Sequence, residues 1–153
     1  MLLGKNKPLN PAKDEQYTPK WIFDKLGIIF DLDVCAPIER KDHVPAINRL
    51  TALDDALTQD WLGMVWMNPP YSKVKPWVQK FLDHGNGIAL LPYSKALWMV
   101  DIWNKADAIC PVYDIKFEQV EGKPQGIFMP VALFAIGLEA DKALRAAEIN
   151  KVR

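Results

Sequence analysis

The sequence has few cysteines and histidines, no excess of charge of either sign and no long apolar run. Its 153 residues include two cysteines, Cys35 and Cys110, and two histidines, too few for a disulfide framework or a structural zinc site. Nineteen basic residues balance nineteen acidic ones. This excludes a strongly basic, tail-driven nucleic-acid binder but leaves room for a local basic patch. No apolar run approaches the roughly 20 residues of a transmembrane helix. We therefore expect no membrane span, no signal peptide and a reduced cytoplasmic setting.

What the sequence has in quantity is typical of globular proteins. Half of its residues are apolar and a quarter are charged, and its length suits one domain. Twelve prolines favour short elements and many turns. We expect a single domain over residues 1–153, with an extended arm over 1–14 and a terminal helix over 139–153.

Apolar runs predict strands, and helical spacing predicts helices between them. The strands are expected at residues 28–34, 64–67, 88–91 and 108–112, and the helices at 76–84 and from Ser94 to about 104. An earlier helix should begin with Thr18 as its N-cap and Pro19 in its first position, and should end at Gly27. Residues 35–60 are expected to be irregular, with one short helix.

The last third of the chain predicts a hairpin, in which residues 115–120 and 127–136 pair through a turn over 121–126. Short strands that alternate with helices indicate an α/β fold with a mainly parallel sheet. The hairpin adds an antiparallel strand at one side. Ligands of such sheets bind beyond the carboxyl ends of the strands. Asp33 and the string Asn68-Pro69-Pro70-Tyr71 follow two of these ends.

The string Asn68-Pro69-Pro70-Tyr71 carries the clearest chemical signal. Two consecutive prolines fix two φ angles and remove two N–H donors, so the carbonyls of Asn68 and Pro69 keep a set direction. Together with the Asn68 side-chain oxygen they suit the hydrogens of an exocyclic amino group, whose nitrogen becomes more nucleophilic when its lone pair is kept out of the ring. Tyr71 offers a face on which that ring can stack. A turn that merely ends a strand is the alternative interpretation.

Four stretches resemble, in this order, the phage-type DNA N6-adenine methyltransferases, a Dam-like family that uses S-adenosylmethionine. They are Tyr17–Trp21, Phe30–Ala36, Thr51–Trp61 and Trp66–Ser72, and the similarity covers roughly residues 14–137. The resemblance implies methyl transfer to adenine N6 in DNA without a metal. It also implies a phage or prophage origin and a bacterial host's cytoplasm. A base in duplex DNA must leave the stack to reach such a pocket, so base flipping is implied too.

The resemblance also implies roles for individual residues. Asn68 and Pro69, with Pro70 beside them, would hold the target amino group, and Tyr71 would stack on the base. The carboxylate of Asp33 would lie near the amino group of the donor's methionine part. The other donor-site residues would be Tyr17, Thr18, Pro19, Cys35, Ala36 and Asn68. Catalysis would consist mostly of aligning nitrogen, methyl and sulfur, because the methyl group is already activated.

The sequence departs from wider methyltransferase patterns between Asp33 and Asn68. Val34-Cys35-Ala36-Pro37 stands where a glycine-rich turn is usual, and only 34 residues separate Asp33 from Asn68. One βαβ unit needs about 30 residues, so the Rossmann-like methyltransferase sheet must be abbreviated there. The acidic residue for the donor's ribose hydroxyls must then come from this loop. Asp55 is the first choice and Asp54 the second, and a solvated acidic loop is the alternative.

Substrate contacts are expected just beyond the strand ends. The candidates are Ser72, Lys73, Lys75 and Lys95, with Lys80 further along the helix. Such lysines could neutralise phosphates beside a flipped base, and solvated helix lysines are the alternative. The predicted catalytic core occupies nearly all of the 153 residues. We therefore expect selectivity for the DNA sequence to be relaxed or to come from loops. The zero net charge predicts weak, salt-sensitive DNA binding.

Two other functions are compatible with the sequence. The missing glycine-rich turn fits a non-catalytic module that holds a nucleotide or a partner protein. The Asn-Pro-Pro-Tyr string also fits an amino-methyltransferase that acts on RNA or on protein glutamine.

Overall fold

The computed structural model describes residues 17–39, 42–113, 115–117, 125–126 and 130–153. The arm expected over 1–14 lies outside these residues, and so does most of the turn expected over 121–126. None of the helices in the described ranges has the length and apolarity that crossing a bilayer requires.

Most of the strands in the described chain form one sheet. The strands are β1 (Phe30–Asp33), β2 (Ala46–Arg49), β3 (Val65–Met67), β4 (Gly87–Pro92), β5 (Ala108–Val112), β6 (Lys116–Phe117), β7 (Gln125–Gly126) and β8 (Val131–Ile136). The main sheet has the order β2-β1-β3-β4-β8-β5. β1 runs parallel to β2 and β3, and β3 runs parallel to β4, whereas β8 is antiparallel to both β4 and β5. The predicted α/β class, mainly parallel with C-terminal antiparallel pairing, is confirmed.

Helices cover the sheet on both faces. They are α1 (Lys20–Leu26), α2 (Val74–His84), α3 (Leu97–Lys105) and α4 (Leu138–Ala146), with single 3₁₀ turns at Ala52–Asp54, Ala56–Thr58 and Tyr71–Lys73. Gly27 ends α1 as predicted, in the left-handed conformation with its N–H bonded to Phe23 O at 2.9 Å. Gly85 ends α2 in the same way, on Phe81 O.

Two hydrophobic cores lie on opposite faces of the sheet. Trp66 of β3 packs on the face that α1 and α4 cover, and its neighbours Val65 and Met67 pack on the other face, against α2 and α3. All three side chains are at most 1% exposed. Central strands that are buried on both faces have continuous apolar sequences. For this reason the short apolar run at 64–67 predicted β3 correctly.

A glycine turn leads into β3. Gly63 has a φ of 71°, and the N–H of the next residue, Met64, donates to Asp31 Oδ2 at 2.7 Å. A Cβ atom on Gly63 would stand 2.2 Å from that same oxygen. The hydrogen bond that orients the chain into β3 therefore requires glycine at this position.

Two helices begin later than their capping signals predicted. α1 starts at Lys20 with Pro19 as its N-cap, and no side chain caps it, so the predicted cap at Thr18 is wrong. α3 starts at Leu97, because Ser94 Oγ accepts the N–H of Ala96 at 3.0 Å in a turn before the helix. Hydroxyl side chains can bond to nearby groups outside a helix, and this competes with capping.

Residues 35–60 contain a strand that the sequence did not predict. β2 is an edge strand that pairs only with β1 in the described sheet, and its four residues are half-buried or exposed. Because it needs little apolar surface, Ala-Ile-Asn-Arg carries no hydrophobic run. The 3₁₀ turns at Ala52–Asp54 and Ala56–Thr58 stand where one short helix was expected.

The hairpin prediction placed the last strand beside the wrong partner. β6 pairs with β7, and β8 lies inside the sheet between β4 and β5 rather than at one side. Five of the six residues of β8 are buried. A strand this apolar is stabilised when other strands flank it on both edges. Proximity in sequence suggested a hairpin, whereas burial selected the interior position.

The terminal helix is shorter than predicted. α4 ends at Ala146 instead of continuing to residue 153. Arg153 then exchanges two backbone hydrogen bonds with Ile109 of β5, at 2.9 and 3.0 Å, and its guanidinium lies 5.0 Å from the ring centre of Trp103. The chain after α4 thus covers the edge of β5.

Candidate active site

The carboxyl ends of β1 and β3 bring the two strongest sequence signals to one edge of the sheet. Asp33 ends β1 and lies opposite Trp66 of β3 in the register of the parallel pair. Asn68 follows directly after β3. The topology therefore places the predicted donor-binding acid and the predicted catalytic motif side by side.

A cavity of about 430 Å³ opens at this edge, and we call it the Asp33 cavity. Its lining includes almost the whole predicted donor-binding set: Tyr17, Thr18, Asp33, Cys35, Ala36, Asp55 and Asn68. Pro19 does not line it; this residue is buried and is the N-cap of α1. Among residues given no donor role from sequence, Asp42, Lys73 and Trp77 line it as well.

Thr18 contacts the predicted catalytic motif, through Asn68, instead of capping α1. Its side chain is 3% exposed, and Asn68 Nδ2 donates to its Oγ1 at 3.2 Å. This bond joins residues 50 positions apart and turns the amide nitrogen of Asn68 towards Thr18. It therefore restricts the rotamer of the amide on which the proposed chemistry depends.

Asp33 is a deeply buried carboxyl group. It is 2% exposed, and its Oδ1 accepts the N–H of Cys35 at 3.1 Å. Burial is the main cause that raises the pKa of Asp33 to about 8; Asp42 raises it further, while the Cys35 N–H and Arg49 lower it. Burial thus favours the neutral form of Asp33 in the free protein.

The structure distinguishes between the two candidate ribose acids. Asp54 closes a capping box, in which its Oδ2 accepts the N–H of Thr51 at 2.8 Å and Thr51 Oγ1 accepts the N–H of Leu53. Asp55 lines the Asp33 cavity and has a φ of 50°, which is uncommon for a residue other than glycine. Its position supports the first choice made from sequence, although its ribose role stays a prediction.

Lys80 does not extend the predicted phosphate-binding row. Its Nζ donates to Leu57 O at 3.0 Å and to Gln59 O, and it lies 5.2 Å from the ring centre of Trp61. Trp61 in turn donates to Ala56 O at 2.9 Å. Lys80 thus fastens to α2 the segment that carries Asp55.

A second cavity, of about 540 Å³, lies beside the Pro-Pro turn, and we call it the Tyr71 cavity. The predicted substrate residues Tyr71, Ser72, Lys73 and Lys75 line it, but Lys95 does not. Lys73 lines both cavities, so the two lie next to each other.

Tyr71 is held firmly at the wall of this cavity. Its hydroxyl donates to Leu90 O at 3.3 Å, and its ring meets Phe117 edge-on at 6.4 Å. Burial raises the pKa of the Tyr71 hydroxyl, which therefore stays neutral. A neutral, anchored ring can stack on a flat ligand without moving.

Sequence reasoning missed part of both cavities. Tyr93, Ser94 and Trp98 line the Tyr71 cavity. A signal was present, because residues 93–95 follow the carboxyl end of a predicted strand, but Lys95 was the candidate chosen. Asp42 had no comparable signal, since it precedes the unpredicted strand β2. Across the described residues, no group of three His, Cys, Asp or Glu side chains is arranged to hold a metal ion.

Comparisons with known proteins agree with one another. Residues 5–112 match the family model described as DNA N-6-adenine-methyltransferase (Dam), a stretch that includes Thr18, Asp33 and Asn68. Over 87 residues the chain is 39% identical to a protein of Haemophilus phage HP1 (strain HP1c1) named DNA N-6-adenine-methyltransferase. This match covers 54% of the chain and 49% of the phage protein, so the chain spans about half the length of that relative. No solved structure matches the chain.

Proposed function

The chain belongs to the DNA N-6-adenine-methyltransferase (Dam) family, and on this premise we propose that it transfers a methyl group from S-adenosylmethionine to adenine N6 in DNA. One observation carries the proposal. Asn68 lines the Asp33 cavity, and Tyr71, three residues on, lines the adjoining Tyr71 cavity. A donor in the first cavity and a base in the second would meet at the Asn-Pro-Pro-Tyr motif.

The lining of the Asp33 cavity suits each part of the proposed donor. Asp33 and Asp42 provide carboxyl groups at its buried end for the ammonium group of the methionine part. Asp55 is available for the ribose hydroxyls, and Trp77 offers an aromatic surface to a nucleobase. When bound, S-adenosylmethionine supplies a methyl group that is already activated for transfer. Tyr17, Thr18, Cys35 and Ala36 complete the proposed donor site.

The Asn-Pro-Pro-Tyr motif would act on the target amino group. In the proposal the side-chain oxygen of Asn68 and the carbonyl of Pro69 accept the hydrogens of N6. Pro70 fixes the turn, since proline locks φ. Accepting both hydrogens keeps the nitrogen lone pair out of the aromatic ring and directs it towards the methyl group. The contribution of the protein is then mainly alignment.

The Tyr71 cavity suits an adenine that has left the helix stack. Tyr71, Tyr93 and Trp98 give it aromatic walls, and Lys73 and Lys75 supply positive charge at its lining. Stacking on an aromatic side chain is worth roughly 1–3 kcal/mol per base. We propose that the lysines contact phosphates beside the flipped base, while Ser72 and Lys95 lie close enough in sequence to add polar contacts.

The zero net charge of the chain shapes how it would bind DNA. Non-specific DNA affinity arises mainly from phosphate neutralisation, so we propose weak, salt-sensitive association through the local lysines. We propose a phage or prophage origin, which the phage relative supports, and action in the cytoplasm of a bacterial host.

The experiment compares substrates and one variant. Purified protein is incubated with S-[methyl-³H]adenosylmethionine and with DNA, RNA or protein, and the label in each polymer is counted. The proposal predicts label in DNA and its loss in Asn68→Ala, while Asn104→Ala, an exposed change on α3, keeps it. Label found only in RNA, or only in protein, would show that this polymer rather than DNA is the substrate. Donor binding without transfer to any polymer would favour a non-catalytic module.

A further inference from the structure

The most exposed large apolar side chain among the described residues lies at the start of α3. Leu97 is the first residue of this helix and is 81% exposed, so it gains little from burial in the free protein. Single exposed apolar residues are common on protein surfaces. The position of Leu97, rather than its exposure alone, therefore indicates a function.

The fold places Leu97 at the edge of the sheet where the candidate active site lies. β4 runs parallel to β3, so its carboxyl end at Pro92 lies at the same edge as Asn68, and α3 follows after a short turn. Leu97 stands in the chain between two residues that line the Tyr71 cavity, Ser94 and Trp98. Its Cα is about 3.8 Å from that of Trp98. Leu97 therefore lies beside the cavity proposed for the target base.

The side chain of Leu97 is directed away from the core. Met99 and Ile102 form the buried side of α3, whereas Leu97, Val100 and Asn104, at spacings of three and four residues, form its exposed side. In an α-helix each Cα–Cβ bond tilts towards the helix N-terminus, and the first residue has no preceding helical turn to pack on. The side chain thus projects into solvent at the edge where the Tyr71 cavity lies.

Positive charges accompany this apolar side chain. Lys95, two residues before it, is exposed, and Lys73 and Lys75 line the Tyr71 cavity. Within α3, all of which is described, the first acidic residue is Asp101, one turn further along the helix. The part of α3 that suits DNA is therefore its first turn, where an apolar group lies near cations that suit phosphates.

We propose that Leu97 inserts into the base stack of duplex DNA and fills the place that the target adenine leaves when it enters the Tyr71 cavity. This inference rests on the proposed function, since it takes adenine in DNA as the substrate. Unpairing and unstacking a base are costly, and leucine is among the apolar side chains that proteins insert between base steps. On insertion Leu97 leaves water, and this burial offsets part of the cost.

Two other exposed leucines serve as comparisons. Leu138 is also the first residue of its helix, α4, and is 70% exposed. It follows β8, whose last residue, Ile136, pairs with Gly87 at the amino end of β4, so Leu138 lies at the opposite edge of the sheet. Leu53, 80% exposed, belongs to the 3₁₀ turn beside the Asp33 cavity. The inference therefore predicts no part in base flipping for either residue.

A comparison of duplex with single-stranded DNA isolates this step, because a single strand has no partner strand from which the base must be extruded. We measure kcat/KM for methyl transfer to one oligonucleotide, with and without its complement. Leu97→Ala should lose at least about tenfold on the duplex but stay within about twofold on the single strand, which also shows that it is folded. Leu97→Met should restore most of the duplex activity, since methionine can also insert. Leu138→Ala and Leu53→Ala should match the unmodified protein on both DNAs.

Fluorescence gives a second readout that needs no turnover. 2-Aminopurine, which becomes bright when it is unstacked, replaces the adenine that the unmodified protein methylates in the duplex. With S-adenosylhomocysteine, the donor product, present, the unmodified protein should raise the fluorescence, and Leu97→Ala should raise it much less. An abasic site opposite the target adenine removes its pairing partner and lowers the cost of flipping. On that duplex Leu97→Ala should recover to within about threefold of the unmodified kcat/KM.

The outcomes separate this inference from the proposed function. An equal loss in Leu97→Ala on duplex and single strand would overturn the inference, since Leu97 would then affect the fold or the transfer step. No loss on the duplex, or a duplex-specific loss in Leu53→Ala or Leu138→Ala instead, would overturn it too. An unmodified protein that methylates only single strands also overturns it but leaves the proposed function standing. Failure of the unmodified protein to methylate adenine in either DNA contradicts the proposed function itself.

Discussion

Replacing Thr18 by valine tests whether the bond between the segment before α1 and the proposed catalytic motif matters for methyl transfer. Valine keeps the branched shape of threonine in a site that is 3% exposed, but it removes the oxygen that accepts Asn68 Nδ2 at 3.2 Å. Serine keeps that oxygen and removes only a methyl group. The pair therefore separates the hydrogen bond from packing.

The expected size of the effect follows from removing the acceptor that Thr18 supplies to a partly buried amide N–H of Asn68. Such a loss costs about 1–3 kcal/mol, and about 1.4 kcal/mol corresponds to a factor of ten in rate. If the amide of Asn68 is misaligned mainly in the transition state, kcat of Thr18→Val should fall roughly 5- to 150-fold. Thr18→Ser should stay within about threefold of the original kcat, because it keeps the bond.

The assay measures kcat for methyl transfer and, separately, the dissociation constant of S-adenosylhomocysteine. We expect the loss in Thr18→Val to appear in kcat, with a change of less than about threefold in donor-product affinity. Equal kcat values for Thr18→Val and the original protein would refute the reasoning. An equal loss in Thr18→Ser would also refute it, since packing rather than the hydrogen bond would then be responsible.

Three further predictions concern stability and the acidic residues. Gly63→Ala places a Cβ 2.2 Å from a carboxylate oxygen, whereas Gly27→Ala, at a similar positive φ, meets nothing within 4 Å. Gly27→Ala should lower the free energy of unfolding, measured in urea, by about 1–2 kcal/mol. Gly63→Ala should lower it clearly more, and equal losses would contradict the close contact with Asp31. Asp54→Asn should lower the free energy of unfolding and change the affinity for the donor product little. Asp55→Asn should lower that affinity and change the free energy of unfolding little. Folding raises the pKa of Asp33 from 3.8 to about 8, so the folded state binds the extra proton and its stability falls as pH rises between these values. Asp33→Asn should remove this fall of stability with pH, and an unchanged fall would show that Asp33 is not its cause.

The parts of the site that the sequence predicted are those encoded by consecutive residues. Asn68 to Tyr71 follow a buried strand whose apolar run is unmistakable, and the backbone chemistry of two prolines does not depend on distant partners. Asp33 was found for the same reason, at the end of β1. The raised pKa of Asp33 was not foreseen, because it depends mainly on how deeply the folded chain buries the carboxyl group.

The parts that could not be predicted depend on tertiary pairing. β2 is half exposed and so carries no hydrophobic pattern, yet its pairing with β1 brings Arg49 beside the carboxyl pair. Thr18 looked like a helix cap because local sequence favours one, whereas its partner lies 50 residues away. β8 was expected to pair with its neighbour in sequence, but its burial required two flanking strands.

The central claim is tested most directly by identifying the methylated nucleoside. DNA is incubated with the protein and S-adenosylmethionine that carries a deuterated methyl group, then digested to nucleosides and analysed by mass spectrometry. The account predicts the deuterated methyl group on N6 of deoxyadenosine, and its absence when Asn68→Ala is used. Label found only on cytosine, or undiminished label in Asn68→Ala, would contradict the account.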